Sequence, residues 1–176
     1  MLIKHIAIML LGIFSMIPSN EVTIKNKATG SDYSQAEADE MVKRHNYYRA
    51  EVGVADLKWS NKVAQYAQKW ANHLAARGCE LEHSTSGEYG ENLFWGYGGS
   101  YTPTYVSDAW ASEKAYWKGG KVTARNYIKV GHYTQMIWYR TTEVGCGKAI
   151  CSDGSVIVVC SYNPPGNLLG QDPTGR

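Results

Sequence analysis

The spacing of apolar and polar residues predicts two helices in the first half of the chain. Ser34, followed by Glu37 three residues later, forms a capping box, and residues with helical spacing continue from there to Arg49. A second helix is predicted after Ser60, with one apolar face that consists of Val63, Ala67, Trp70, Ala71 and Leu74. We expect Gly78 to end it.

Farther along the chain the pattern changes from a helical to an alternating period. A third helix is predicted from about Thr104 to Trp117. Two strand-like segments, EVGCGKAIC and SVIVVCSY, then flank Asp153-Gly154, which is a strong hairpin-turn signal. Because both sides of the second strand are apolar, we expect both of its faces to be covered. The order of elements predicts a layered α+β domain.

The N-terminus indicates export. An apolar run, Ile6 to Ile17, follows Lys4 and is short for a membrane span but typical of a secretory signal peptide; an uncleaved anchor is the alternative. We expect a signal peptide over residues 1–19, a flexible leader over 20–33 and a single domain over 34–176. The mature protein would be secreted (extracellular, or periplasmic in a bacterium) and without a transmembrane segment.

Composition narrows the function classes. Lys and Arg number 18 against 16 Asp and Glu, and a formal charge of +2 gives no support for nucleic-acid binding. Thirteen Tyr and six Trp would suit an aromatic-lined groove, although a Tyr-rich core and surface explains them equally well. Four cysteines in an exported chain predict two disulfides, with three pairings open. A zinc cluster is less favoured because no CxxC pair occurs.

Four polar residues are candidates for chemistry: His83, Glu91, Glu113 and His132. Two imidazoles and two carboxylates can bind a divalent cation or act in general acid–base catalysis. None of them belongs to a short metal motif, so ordinary hydrogen-bonded loop or helix residues are the alternative. His45 is interpreted as a residue of the first helix face.

Eight segments resemble the CAP superfamily of cysteine-rich secretory proteins, antigen 5 and plant pathogenesis-related family-one proteins. They span about residues 34–171 and read HNYYR, LKWSNKVAQYAQKWA, CELEHS, YGENL, DAWASEKAYW, GHYTQMIW, VGCG and CSYNPPGN. The resemblance implies a three-layer α–β–α sandwich, with a short antiparallel sheet between helices and a large central cleft. It also implies that His83, Glu91, Glu113 and His132 line that cleft, with Tyr133 to Trp138 passing into the core.

The resemblance carries further expectations. His83 and His132 would bind zinc or another divalent cation, as the paired histidines of some relatives do. Cys79 would pair with Cys146, and Cys151 with Cys160. Plant relatives have a third disulfide near Val130 that this chain lacks, so the 118–130 loop is expected to be more mobile.

Three functions follow from these expectations. The first is a monomeric, non-catalytic binding module for a sterol or fatty-acid-like lipid, with Trp110, Tyr116 and Trp117 as ligand-binding residues. The second is a metal-dependent, protease-like hydrolase that uses the two histidines with Glu91 or Glu113, so enzymatic activity stays open. The third is a secreted defence or virulence effector that acts through a protein partner.

Overall fold

Residues 28–176, the part of the chain that the computed structural model describes, form helices around one mixed sheet. The helices are α1 (Gln35–Val52), α2 (Asn61–Ala75), α3 (Pro103–Ala111), a 3₁₀ turn (Ser112–Ala115) and α4 (Tyr127–Met136); the strands are β1 (Lys58–Trp59), β2 (Gly90–Gly96), β3 (Glu143–Ile150) and β4 (Val156–Asn163). The strand order is β1-β3-β4-β2, parallel between β1 and β3 and antiparallel elsewhere. The predicted signal peptide and residues 20–27 lie outside the described residues.

Strand β4 separates two hydrophobic cores. Val158 and Cys160 belong to the larger core, which contains residues of α1, α3 and α4. Ile157 and Val159 alternate with them and belong to the second core, which α2 covers. Both faces of this strand are therefore buried, as its sequence predicted, and the α–β–α sandwich is confirmed.

Helix α2 lies unusually close to the sheet because β3 presents glycines to it. A side chain at Gly145 would collide with the backbone of Ala64, and one at Gly147 with the backbone of Gln68. The segment VGCG therefore has a packing reason for its glycines: it lets a helix approach the strand at backbone contact.

Arg49 fixes the position of α4, the helix that carries His132. Its guanidinium is fully buried and donates to the carbonyls of Met136, Trp138 and Thr141 at 2.9–3.0 Å. Burial lowers the pKa of Arg49 to about 10, partly offset by the charge of Asp56. The cation thus stabilises the C-terminal end of α4, where carbonyls lack helical partners.

The structure confirms the capping box of α1 and the start of α2, and it corrects the helix that follows. The α-helical part of the third predicted helix ends at Ala111, and Ser112–Ala115 continues as a 3₁₀ turn, a common way to tighten a helix end. Helix α4 was not predicted, because Gly131 lies in its middle and its apolar residues do not form a clear stripe.

The leader and the 118–130 loop are both tied to the domain. Thr29 and Ser31 are buried, and Trp59 donates to the carbonyl of Thr29, so the flexible-leader prediction is wrong for residues 28–33. In the loop, Val122 is fully buried and exchanges backbone hydrogen bonds with residues 170–171 of the C-terminal tail. Higher mobility of the rest of that loop stays a prediction.

The disulfide pairing implied by the family resemblance is wrong. Cys146 pairs with Cys160, directly opposite in the β3–β4 register, and Cys79 pairs with Cys151. The reason is geometric: the hairpin places the Cα atoms of Cys146 and Cys160 4.1 Å apart. Cys151 lies past the end of β3, and its Cα atom is 6.0 Å from the Cα atom of Cys79.

Within the described chain no helix is long and apolar enough to cross a membrane.

Candidate functional site

His83 and Glu91 form the first of two histidine–carboxylate pairs. His83 lies in the loop after Cys79, and Glu91 is the second residue of β2. Nδ1 of His83 is 2.7 Å from Oε1 of Glu91, and the backbone N–H of Ser84 donates to the same oxygen at 3.0 Å. The Glu91 side chain is only 6% exposed, and its second oxygen, Oε2, is buried without a hydrogen-bond partner.

His132 and Glu113 form the second pair. His132 is on α4 and Glu113 on the 3₁₀ turn after α3. Nδ1 of His132 is 2.7 Å from Oε1 of Glu113, while Oε2 accepts the backbone N–H groups of His132 and Tyr133 at 2.8 and 3.1 Å. Both carboxylate oxygens are therefore used, and the 3₁₀ turn is joined to α4 through this one side chain.

The two pairs meet at a small cavity of about 90 Å³. His83, Glu91 and His132 line it. Glu113 is not among the lining residues and contacts the Nδ1 atom of His132. A larger cavity of about 350 Å³ adjoins it and shares His83, Glu91 and Tyr127. These two cavities together are called the cleft below. All four residues selected from the sequence thus belong to one site, although they come from four separate segments.

The donor chemistry of the cleft fits a divalent cation. Because each Nδ1 faces a carboxylate, it carries the proton of the neutral ring, and Nε2 keeps the lone pair that a metal needs. Carboxylate–histidine pairs of this kind orient metal-binding imidazoles in proteins. Within residues 28–176, no group of three or more His, Cys, Asp or Glu is arranged to hold a metal, so a cation in the cleft would have two protein ligands. Two imidazoles suit zinc and leave its other positions for water or a ligand.

A buried polar network that the sequence did not reveal supports the cleft. Asn92 donates to the carbonyl of His132 and to the hydroxyl of Tyr162, both at 3.1 Å. The same hydroxyl is 2.9 Å from Nε2 of His45. Burial lowers the pKa of His45 to about 4 and raises that of Tyr162. His45 is a core residue, as its place on α1 indicated.

The three predicted ligand-binding aromatics occupy different environments. Trp110 is 3% exposed, donates to the carbonyl of Leu93 and stacks on His132, so little of its surface is open to a ligand, and its ligand-binding role stays a prediction. Trp117 is half-buried against Tyr133, and Tyr116 is 66% exposed. The helical position of Trp110 faces the core, which its sequence neighbours alone could not show.

Comparison with known proteins identifies the family. Residues 42–162 match the family model described as CAP, the cysteine-rich secretory protein family. The chain belongs to the CAP family. Pathogenesis-related protein 1C of Nicotiana tabacum is 42% identical over 143 residues, covering 81% of this chain and 84% of the relative. Pathogenesis-related protein 1 of Arabidopsis thaliana is 36% identical over 140 residues, covering 80% and 84%.

Solved structures of CAP proteins share the fold. The structure of BmVAL-1 matches with a TM-score of 0.71 at 26% identity, covering 82% of this chain and 84% of that one. The crystal structure of NaASP2 with Zn2+ matches with a TM-score of 0.69 at 26% identity, covering 80% and 85%. The fold class and the family expected from the sequence are thereby confirmed.

Proposed function

We propose that this protein is a secreted CAP domain of the pathogenesis-related type whose cleft binds a divalent cation, preferably zinc, through Nε2 of His83 and His132. The observation that carries the proposal is the matched 2.7 Å contact between each Nδ1 and a carboxylate. A bound cation would supply a positive centre for an anionic or carbonyl group of a ligand in the larger cavity.

Further features of the cleft and of related proteins support this proposal. The side chains of His83 and His132 are 57% and 39% exposed, so a cation can reach them from solvent. Oε2 of Glu91 is a buried oxygen without a hydrogen-bond partner, on a residue that lines the same cavity. A related structure, NaASP2, was determined with Zn2+. The two disulfides and the plant relatives accord with secretion and a role in defence.

Isothermal titration with zinc chloride tests the proposal. The intact protein should bind one zinc ion per chain, and His83→Ala or His132→Ala should each weaken binding about 10–100-fold, because removal of one ligand leaves a single imidazole. His73→Ala is the matched control, since His73 is an exposed histidine on α2 that does not line the cleft. Equal zinc affinity in all four proteins would contradict the proposal.

A lipid ligand is a second candidate, at a different surface from the one predicted. Tyr127 and Leu169 line the larger cavity of the cleft, Ile128 lines the smaller one, and these side chains are 40%, 62% and 85% exposed. Exposed apolar groups around a cavity favour a sterol or fatty-acid-like ligand.

A paired substitution tests the lipid candidate. Ile128→Ser should weaken binding of a fluorescent sterol several-fold, whereas Ile150→Ser, equally apolar and 76% exposed at the end of β3, should not. Equal effects of the two substitutions would contradict a lipid site at the cleft. The hydrolase and protein-partner alternatives stay predictions.

A further inference from the structure

A second cavity lies outside the cleft, against the exposed face of α2. Its volume is about 360 Å³, within the range of small-ligand sites. Three rings line it on one side, Tyr66, Trp70 and His73, and the loop over residues 84–86 lines the other. The α2 cavity, as it is called below, is lined by none of the four histidine and glutamate residues of the cation site.

The rings of the α2 cavity are held in place before any ligand arrives. Trp70 and His73 stack with centroids 4.6 Å apart and planes 16° apart, and the indole N–H of Trp70 donates to the carbonyl of Glu82. The Tyr66 hydroxyl is bonded to Ser86, and its ring packs edge-on against Tyr89 at 4.9 Å. Rings that are already ordered lose less side-chain entropy when a ligand binds.

The polar groups around these rings are neutral hydroxyls. Ser84, Thr85 and Ser86 each offer an O–H that can donate or accept, and Lys69 is the charged lining residue. Glu82 and Glu88 lie in the loop beside it, so the cavity has no strong field of either sign. A phosphate or nucleic-acid ligand is therefore not favoured, and a neutral ligand rich in hydroxyl groups is.

From this combination we infer that the α2 cavity binds a neutral oligosaccharide of β-linked pyranose units. Such sugars present a flat face of C–H groups, which packs on an aromatic ring, and a rim of equatorial hydroxyls, which matches the Ser84–Ser86 loop. A peptide fits less well because α2 side chains and a loop line the cavity, and none of its lining residues belongs to a strand edge that could pair with a main chain.

The α2 cavity and the cleft are neighbours. Ser84 lines both, and the Tyr66–Tyr89 ring pair lies between them, with Tyr66 on one side and Tyr89 on the other. The backbone N–H of Ser84 also donates to Glu91, which holds His83. A sugar chain that starts at His73 can therefore extend past Ser84 toward the cleft.

NMR titration of the full chain with cellohexaose tests this inference. We expect saturable shifts at the Trp70 indole and at residues 84–86, with a Kd of about 0.1–1 mM that salt does not change. His73→Ala should weaken binding about fivefold, because it removes an exposed ring from the cavity wall, and Trp70→Ala at least tenfold, because it removes the ring on which His73 stacks. Tyr116→Ala is the matched control, an exposed aromatic away from the cavity, and should not change the Kd.

The outcomes separate this site from the cation site. Trp70 is half-buried, so His73→Ala, at an exposed position, keeps the test valid if Trp70→Ala does not fold. His73→Ala should also leave zinc binding unchanged, which distinguishes failure of one proposal from failure of the other. Absence of shifts at about 10 mM cellohexaose would overturn the inference, as would stronger shifts of the same signals with a neutral hexapeptide.

Discussion

The two histidine–carboxylate pairs have the same contact distance, 2.7 Å, but the protein holds them in different ways. His132 lies on a helix whose end is fixed by buried Arg49, and both oxygens of Glu113 accept hydrogen bonds. His83 lies on an exposed loop, and Glu91 uses only one oxygen. One half of the cleft is thus built into the core, and the other depends on a loop.

This difference indicates which half can adapt to a ligand. Local openings require little free energy where backbone is exposed and few apolar contacts hold a segment. We therefore expect the His83 side to adjust to a cation or ligand and the His132 side to stay in place. Each of the following changes should destabilise one side of the cleft more than the other.

The largest effect should follow removal of the disulfide at the start of the His83 loop. Cys79 and Cys151 are separated by 72 residues, so Cys79→Ala with Cys151→Ala should lower the free energy of unfolding by about 4 kcal/mol. Amide exchange of Ser84 should accelerate at least tenfold, because the loop loses its tie, while the His132 amide stays protected. Urea unfolding and hydrogen exchange measure the two effects.

The cross-strand disulfide provides the control for that experiment. Cys146→Ala with Cys160→Ala should cost about 3 kcal/mol for a separation of 14 residues. It should leave the exchange of Ser84 unchanged relative to global unfolding, since neither cysteine adjoins the His83 loop. Accelerated exchange of Ser84 in both variants would show that the loop does not depend on Cys79.

Lowering the pH should destabilise the His132 side of the cleft, because His45 lies in the buried network behind it. His45 has a folded-state pKa of about 4 against an ordinary value of 6.5, so between these values the unfolded chain binds a proton that the folded chain does not. The contribution of neutral His45 to the free energy of unfolding should be fully present above pH 6.5. It should fall by roughly 3 kcal/mol as the pH is lowered to about 4. His45→Gln should flatten this part of the pH profile; an unchanged profile would contradict the assignment.

A smaller effect distinguishes the two carboxylates. Glu113→Gln places its amide N–H₂ either against the backbone N–H donors of His132 and Tyr133 or against Nδ1 of His132, which must then move its proton to Nε2; it should therefore lower the unfolding free energy by about 2 kcal/mol. Glu91→Gln can place its N–H₂ where Oε2 lacks a partner and keep its oxygen on His83 and Ser84, so it should change the unfolding free energy by less than about 1 kcal/mol. Equal losses by chemical denaturation would contradict the described difference.

The sequence predicted the parts of the molecule that have a local signal. The capping box at Ser34 and the turn at Asp153-Gly154 depend on a few adjacent residues, and both are confirmed. Helix α4 has Gly131 in its middle and is stabilised by Arg49 from another helix, which no local pattern reveals. The disulfide partners likewise depend on the register of β3 against β4, and the positions of the four cysteines in the sequence do not determine that register.

The candidate site was identified by family resemblance, and its supporting residues were not. The four cleft residues lie far apart in sequence, so spacing alone could not join them. Asn92 and Tyr162 act through hydrogen bonds to His132 and His45, and an asparagine next to Glu91 carries no sequence signal for that role. Trp110, interpreted from the sequence as a ligand-binding residue, is buried and stacks on His132, a position that its neighbours in the sequence could not reveal.

The central claim is that His83 and His132 both present an unprotonated Nε2 to one cavity. Long-range ¹H–¹⁵N NMR of the imidazole rings at neutral pH, with and without zinc chloride, tests it most directly. We predict that both rings carry their proton on Nδ1, and that both Nε2 signals shift together and saturate at one zinc ion per chain. Protons on Nε2 in the free protein, or a zinc-induced shift of only one ring, would contradict the account.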